Sequence, residues 1–381
     1  MIEDIKNHKI NWIDGMKISK NHFLELQDYV SAMISDAVGT QLSNNDYGFL
    51  SSYLNDEENI NVTVDTHNSL NVQVNHLKAI TRGGIRIEIT SNTAPFQEEK
   101  TLDPKTISDA AYIILTVDTS SANAVAFGER LENELPPRAP YLTNSYAVAL
   151  LSEAELSNTG LGANQLPIAK IINSDGTLEI QDFYIPPCVY VEANEQLVNF
   201  YNRVDKFLKV TEKNVIQIVQ KVNNKRSDNP IADALRLVVD RLHTFLSERI
   251  TSFKWKSYHQ KPMEVMNTVV SFARLFKNSV DISPSENKEA LFNYFGEWSD
   301  KKGGDYEQIF TEVINLSYTH YDTIAAVSTL VEFMTTIEKL FTTLTQVDYI
   351  GKRREMGLFV NENKVEDVPK QKSGGPSFLA E

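Results

Sequence analysis

The sequence predicts an α+β protein, in which an N-terminal antiparallel β-sandwich precedes a C-terminal antiparallel helical bundle with a long last helix. Before residue 190 the apolar residues alternate with polar ones or form short runs, which is typical of strands. Beyond it they recur every three or four residues, which is typical of helices. We therefore predict a β-sandwich domain with an N-terminal helix over residues 1–190, a helical bundle over 191–350 and a flexible tail over 351–381.

The composition narrows the classes of partner. The 381 residues carry a formal net charge of −14, which argues against binding nucleic acid or anionic lipid through the whole surface. No apolar run approaches the roughly 20 residues of a membrane span, and the polar start of the chain does not resemble a signal peptide. One cysteine, Cys188, rules out an intrachain disulfide, and we expect its side chain to be buried. The expectation is a cytoplasmic protein, not inserted in the membrane, whose partners are proteins.

The first forty residues combine an extended run with an amphipathic helix. Ser19 is the predicted N-cap and Gly39 the end of this helix, whose apolar face holds Phe23, Leu26, Val30, Met33 and Ile34. Trp12 and Met16 lie just ahead of the helix, on either side of Gly15. We predict that Trp12, Met16 and Phe23 form a docking surface for a partner, the alternative being that they pack inside their own domain.

Five segments and one hairpin predict the strands of the sandwich. Apolar and polar residues alternate over 60–64, 70–74 and 85–89, which indicates antiparallel strands with one solvent-exposed face. The continuous apolar runs at 111–117 and 146–151 indicate more central strands. The stretch 166–180 predicts a hairpin that turns at Asp175-Gly176, after which Pro186-Pro187 takes the chain out of the sheet. The proline-rich loop at 134–140 is either a partner contact or a plain surface connection.

Helical spacing dominates the rest of the chain. Apolar stripes predict helices over about residues 197–222, from Pro230 to Phe253 and from Pro262 to Phe276, and residues 283–286 predict a capping box that starts a shorter helix. After Gly303-Gly304, apolar residues keep helical spacing to Leu344, which predicts one very long helix or two stacked ones. The surplus apolar faces of such a bundle favour self-association through the helices.

Motifs for catalysis or cofactor binding do not stand out. The sequence has no phosphate-binding loop, no nucleophile elbow and no pair of histidines at metal spacing, so we predict no enzyme activity, no cofactor and no metal. His320 and Asp322 are close in sequence without sharing a helix face, and we expect a solvated pair. An enzyme built on the sandwich stays open as an alternative, and it requires an aromatic-lined cleft with a perturbed carboxylate pair.

Several short motifs in a fixed order resemble the TssK family of type VI secretion baseplate subunits. They are Trp12, Gly15-Met16, His22-Phe23 and Gln27-Asp28, then residues 47–50, 79–84, 166–188 and 258–276. The resemblance implies a sandwich shoulder, a helical neck and a homotrimer that grips the TssF and TssG wedge of the baseplate. It also implies a structural role as the adaptor between this wedge and the membrane complex.

The resemblance weakens toward the carboxyl end. Family members continue into a compact head that contacts the membrane complex, whereas a long helix and a polar tail follow here. We predict a reduced version of the Bacteroidota type, in which the C-terminal helix or tail makes that contact. The alternative function is a phage-like tail adaptor or receptor-binding type of protein outside type VI secretion.

Overall fold

A computed structural model describes residues 6–50, 59–224 and 229–351 of the chain. The described part contains eleven strands, which make two sheets and a separate ribbon. The strands are β1 (Gly48–Phe49), β2 (Asn59–Val64), β3 (Ser69–Ile80), β4 (Arg86–Ile89), β5 (Phe96–Thr101), β6 (Ala110–Asp118), β7 (Val125–Phe127), β8 (Tyr141–Thr143), β9 (Ser145–Ser152), β10 (Gln165–Ser174) and β11 (Thr177–Ile180).

The first sheet is built around β3. Its first half pairs antiparallel with β2 and β5, and its second half pairs with β1 and β4. The second sheet has the order β11-β10-β6-β9, again antiparallel. The inner faces of the two sheets contribute to one buried apolar cluster, so the predicted sandwich is confirmed.

Two sequence predictions about the second sheet have opposite outcomes. The hairpin is confirmed, because Ser174 pairs with Thr177 and both turn residues, Asp175 (φ 53°) and Gly176 (φ 91°), have the positive φ of a type I′ turn. The prediction that residues 146–151 form a central strand is wrong, because β9 lies at the sheet edge. Side chains of β5 cover this edge: the Val148 N–H donates to the Glu98 carboxylate at 2.7 Å, and Lys100 donates to the Val148 carbonyl at 3.3 Å.

Eight α-helices lie in the described residues, six of them after the last strand. They are α1 (Lys20–Gly39), α2 (Glu153–Thr159), α3 (Glu195–Asn224), α4 (Pro230–Lys256), α5 (Pro262–Asp281), α6 (Ser285–Glu297), α7 (Gly303–Ile314) and α8 (Ile324–Gln346). Helices α3, α4, α5 and α8 pack as the predicted bundle, and ten apolar or threonine side chains predicted to form the α3 stripe are buried: Leu197, Phe200, Tyr201, Val204, Phe207, Leu208, Thr211, Val215, Ile218 and Val222. Aromatic side chains of α5, α6, α7 and α8 form a buried cluster. The rings of Phe276 and Phe310 meet edge to face in it, with their centroids 4.8 Å apart.

Helix boundaries decide two further predictions. Helix α6 has Pro284 as its N-cap and no side-chain cap, so the predicted capping box from Ser283 is wrong. The apolar stretch up to Leu344 is two helices, the second of the two predicted alternatives, because residues 315–323 leave the helical path between α7 and α8. The predicted domain division at residue 190 stays a prediction, since the buried cluster runs without a gap from the sheets into the bundle. The tail from residue 352 onward lies outside the described residues.

Candidate interaction surface at the N-terminus

The N-terminal segment presents an apolar surface that the other described residues of the chain do not cover. None of residues 6–46 is buried, although they include a twenty-residue helix with an apolar face. We call N-terminal surface the exposed apolar side chains of this segment, which are Trp12, Ile13, Ile18, Phe23, Val30, Met33 and Ile34. Apolar side chains gathered on one exposed patch mark an interaction site more often than a solvated face.

A tight turn and a helix cap place the three predicted docking residues. The Met16 N–H donates to the Ile13 carbonyl at 3.2 Å, and Gly15 between them has a φ of 79°, which side-chain-bearing residues seldom adopt. At the start of α1 the Ser19 N–H donates to Nδ1 of His22 at 3.1 Å, closing the cap.

The same arrangement leaves the aromatic residues exposed. The Trp12 ring meets the His22 ring edge-on, with their centroids 5.9 Å apart. Trp12 remains 46% exposed and Phe23 58%, while Met16 is half-buried. The structure therefore places Trp12 beside the start of α1, and the docking role of Trp12, Met16 and Phe23 stays a prediction.

The opposite side of α1 is anchored to the sandwich at its middle. The Asp28 carboxylate accepts hydrogen bonds from the Ser121 N–H at 3.2 Å and from the Ser121 hydroxyl at 2.5 Å. Ser121 belongs to the loop between β6 and β7, so α1 is tied to the base of the ribbon that β7 and β8 form. Asn7 adds a longer contact, since its amide donates to the Asp28 carbonyl at 3.5 Å.

A pair of glycines fixes the end of α1. Gly84 has a φ of 80°, and a Cβ added there would lie 2.4 Å from the Ser35 carbonyl oxygen and 2.6 Å from the Gly39 nitrogen. A Cβ on Gly39 would lie 2.9 Å from the Gly83 carbonyl oxygen. The last turn of α1 thus rests directly on the backbone of the turn at 81–85.

A groove of about 660 Å³ runs between α1 and the ends of β6 and β9. Tyr146 is its only aromatic lining residue among the described residues, and Asp118 is one of its carboxylates. Hydrogen bonds from Asn123 and from the Ser120 N–H lower the pKa of Asp118, the opposite of what a general acid requires. The groove does not provide the aromatic cleft and perturbed carboxylate pair that the enzyme alternative demands.

Charge divides the N-terminal segment into two parts. Residues 6–24 hold four lysines and one aspartate, whereas residues 25–36 hold the carboxylates Glu25, Asp28 and Asp36 and no lysine or arginine. The start of the segment attracts acidic protein surfaces, and the middle of α1 does not.

A second cluster, which the sequence did not reveal, lies where the loop 315–323 meets the sandwich. His320 is buried and donates from Nε2 to the Tyr47 carbonyl at 2.7 Å, while its Nδ1 accepts from the Tyr318 hydroxyl at 2.8 Å. Burial lowers the pKa of His320 to about 4, so the ring is neutral at pH 7.

Asp322 is held in the same place by two donors. Its carboxylate accepts from Lys170 Nζ at 2.6 Å and from the Tyr112 hydroxyl at 2.7 Å, and its side chain is 13% exposed. Burial, and next the Asp322 carboxylate, raise the pKa of Tyr112. The predicted solvated pair is therefore wrong, because both side chains turn inward to the sheets. Their partners are far away in the sequence, so only the fold brings them together.

Cys188 and the motif at 47–50 meet at this junction. The Phe49 N–H donates to the Pro187 carbonyl at 2.8 Å, and the Val189 N–H donates to the Phe49 carbonyl at 3.0 Å. Cys188 is buried as predicted. The segment after Pro186-Pro187 therefore continues beside β1 and not within the four-stranded sheet.

The described residues contain neither a metal-binding cluster nor a membrane-spanning helix. Across residues 6–50, 59–224 and 229–351 no group of three or more His, Cys, Asp and Glu side chains is arranged to hold a metal ion. Over the same ranges no helix combines the length and apolar character needed to cross a bilayer.

Comparison with solved structures shows the fold in other proteins. "Crystal structure of TssK" matches with a TM-score of 0.50 at 15% identity, covering 90% of this chain and 69% of that one. TssK from the type VI system of EAEC, in complex with nanobody nb18, matches with a TM-score of 0.47 at 13% identity over 84% of this chain and 99% of that one. The TssK-TssF-TssG baseplate subcomplex matches with a TM-score of 0.48 at 12% identity, over 90% of this chain and 99% of the matched chain.

Sequence comparison gives the family. No curated protein matches the chain significantly. A family model described as "Bacterial Type VI secretion, VC_A0110, EvfL, ImpJ, VasE" matches residues 22–243, which is more than half of the 381 residues. The chain therefore belongs to this bacterial type VI secretion family, as the resemblance to TssK predicted.

Proposed function

We propose that this chain is a structural subunit of a type VI secretion baseplate, a trimeric adaptor that joins a TssF–TssG wedge to the membrane complex. The family match over residues 22–243 is the observation that carries the proposal. One solved TssK structure supports it, because it shares this fold over 90% of the chain with a TM-score of 0.50. The match to a type VI secretion family also favours this function over a phage-like tail adaptor.

In this role the N-terminal surface is a docking surface that includes Trp12, Met16 and Phe23. Its support is physical: the apolar side chains of residues 6–46 are not buried in the single chain, and Asp28 and Gly84 hold α1 in a fixed place. A surface that is both apolar and rigid binds without a large ordering cost. We propose that no catalytic step takes place here and that the subunit works on the cytoplasmic side of the membrane.

The test of the proposed function is co-expression with the TssF and TssG proteins of the same gene cluster. The chain should co-purify with this pair in a complex larger than the chain forms alone. A chain that never co-purifies with them would contradict the baseplate function.

For the membrane side, we propose that α8 or the tail from residue 352 onward makes the contact. The proposal rests on the resemblance, since the tail lies outside the described residues. Deleting residues 352–381 should abolish or weaken capture of the membrane-complex proteins. Capture that survives this deletion unchanged, together with capture that survives charge substitutions on the exposed face of α8, would exclude both elements.

A further inference from the structure

The loop between α7 and α8 leaves the bundle and lies against the sandwich; we call residues 315–323 the strap. Both ends of the strap are fixed in the bundle. Arg274 of α5 donates to the carbonyl of Ile314, the last residue of α7, at 3.0 Å. At the other end the Val327 N–H donates to the Thr323 carbonyl at 2.9 Å, where α8 begins. Whatever the middle of the strap binds is therefore tied to α5, α7 and α8.

The middle of the strap binds two neighbouring strands of the second sheet. Tyr112 of β6 and Lys170 of β10 are register partners, and Lys170 Nζ lies 4.9 Å from the centroid of the Tyr112 ring. Both side chains donate to the same oxygen, Oδ2 of Asp322, at 2.7 Å and 2.6 Å. Asp322 and Lys170 are each 13% exposed, so water screens this ion pair only weakly. One carboxylate of the strap thus holds β6 and β10 together.

The strap also binds the first sheet and the segment that links the sandwich to the bundle. Nε2 of His320 donates to the carbonyl of Tyr47, which directly precedes β1, at 2.7 Å. From the linking segment between β11 and α3, the Tyr184 hydroxyl donates to the Tyr321 carbonyl at 2.6 Å. A single short loop of the bundle therefore bridges both sheets of the sandwich.

Aromatic packing beneath the strap closes one face of β6. Residues 111–115 of β6 are all buried, so both faces of this strand are covered. The Tyr321 ring of the strap meets the Tyr112 ring edge-on, with centroids 5.4 Å apart, and the Tyr184 ring lies 6.1 Å from the same ring. Lifting the strap would expose this aromatic group and separate Lys170 from its carboxylate.

Contacts of this kind resist a relative motion of two folded parts. A shielded ion pair that loses one partner leaves an uncompensated charge, and a buried hydroxyl or carbonyl that loses its partner also costs free energy. Two parts of one chain move relative to each other unless such contacts hold them. A tilt of the bundle against the sandwich would break the contacts of Asp322, His320 and Tyr321 at once, because all three lie on the strap.

We propose that the strap is a clasp that fixes the bundle at one angle to the sandwich, and that without it the two folded parts pivot about the linking segment 181–194. Helix α8 begins at the clasp and its 23 residues extend about 35 Å away from it, so a small change of angle displaces its far end by several residues' length. The inference goes beyond the proposed function and does not depend on it, since it concerns the single chain.

Distances between two spin labels on the full-length chain test the clasp. One label is attached at Glu179→Cys on β11 and the other at Gln346→Cys at the far end of α8, both exposed positions. Cys188 is buried, so it does not compete for the label. A control pair, Thr251→Cys with Gln346→Cys, spans the bundle alone. The labelled chain is mixed with a tenfold excess of unlabelled chain, so that only distances within one copy are measured by pulsed electron paramagnetic resonance.

Two variants open the clasp to different extents. His320→Ala combined with Asp322→Ala removes the side-chain contacts of the strap with both sheets. Asp322→Asn is milder, since it keeps the volume and removes only the charge that faces Lys170, and it decides the test if circular dichroism shows that the double variant does not fold. Glu338→Gln is the matched control variant, because Glu338 forms an ion pair with Arg203 inside the bundle, with side chains 19% and 23% exposed.

The unsubstituted chain should give one narrow distance distribution for each label pair. In the double variant the distribution for the sandwich–bundle pair should be at least twice as wide, and in Asp322→Asn at least half as wide again, while the control pair stays unchanged. Glu338→Gln should leave both pairs unchanged. An unchanged width for the sandwich–bundle pair in the folded variants, an equal broadening of both pairs, or a broad distribution in the unsubstituted chain would each overturn the inference.

Discussion

Helices α1 and α3 carry the same kind of apolar stripe, and the single chain buries only one of them. In α3 the stripe from Leu197 to Val222 lies against α4 and α8, whereas no residue of α1 is buried. Both helices are held in place, α1 through Asp28 and the glycines at 83 and 84. The difference shows that an apolar stripe predicts a helix face that will be buried. It does not predict whether the burying surface belongs to the same chain or to another molecule.

The bundle and the N-terminal segment differ in the same way. Among the described residues the large apolar side chains exposed on the bundle helices and their ends are few, namely Ile216, Trp255 and Ile282, while the N-terminal surface gathers seven. The expectation that surplus apolar faces of the bundle drive self-association stays a prediction.

The largest expected effect comes from removing an α3 side chain that is covered. Phe207 is fully buried and meets the Phe272 ring edge-on at 5.1 Å. Phe207→Ala should lower the free energy of unfolding by about 3–5 kcal/mol, because it loses the buried ring and leaves a cavity. Urea unfolding of the dilute chain, followed by far-UV circular dichroism, measures this change.

The matched substitution on α1 is Phe23→Ala. Phe23 is 58% exposed in the single chain, so its removal should change the free energy of unfolding of the dilute chain by about 0.5 kcal/mol or less. Losses of equal size for Phe207→Ala and Phe23→Ala would show that α1 is covered within its own chain, and the comparison would fail.

The next effect depends on the buried loop between the two halves of the molecule. His320 has a folded pKa of about 4, below the unfolded value of 6.5, so the unfolded chain takes up the proton first as the pH falls. The stabilisation is complete above about pH 6.5 and is lost progressively toward pH 4, with about 2 kcal/mol gone by pH 5.

Urea unfolding at pH 7 and pH 5 tests this dependence, with His320→Gln as the comparison. Asp46 and Lys261 face the same site, and their ion pair is present in both proteins. The variant should have a lower free energy of unfolding than the unsubstituted chain at pH 7. Between pH 7 and pH 5 it should lose about 2 kcal/mol less, because it lacks the imidazole that becomes protonated. An equal loss on acidification in both proteins would exclude His320 as the titrating group.

A further loss of stability is expected when Gly84, which contacts the last turn of α1, is substituted. Gly84→Ala places a Cβ 2.4 Å from the Ser35 carbonyl oxygen at a φ of 80°, and should cost about 1–3 kcal/mol by displacing the last turn of α1. Gly176→Ala is the control, since it also has positive φ but meets no atom within 4 Å. Hydrogen exchange of the α1 amides should accelerate in Gly84→Ala alone. Equal exchange of α1 in both variants would contradict the close contact.

The sequence predicted where helices, strands and turns lie better than it predicted which of them pack against each other. Local rules suffice for the Asp175-Gly176 turn, the Ser19 cap and the proline starts of α4 and α5, because each depends on residues a few positions apart. The edge position of β9 was missed because the side chains of Glu98 and Lys100, fifty residues away, replace a neighbouring strand.

The same reason explains the error about His320 and Asp322. Their partners are Lys170, Tyr112 and the Tyr47 carbonyl, which hold both side chains against the sandwich. None of these partners is near in sequence. For the candidate site, the sequence singled out Trp12, Met16 and Phe23, but it could not show whether the apolar face of α1 is exposed, because that depends on which distant segments pack against it.

The most direct test of the central claim compares the native mass of the chain with that of Ile34→Lys and Ile282→Lys. Ile34 on α1 and Ile282 on the bundle are 60% and 59% exposed, and both changes add the same charge. If another molecule covers the N-terminal surface, Ile34→Lys should weaken assembly of the chain, alone or with TssF and TssG, at least tenfold, whereas Ile282→Lys should match the unsubstituted chain. Equal assembly of both variants would contradict the account.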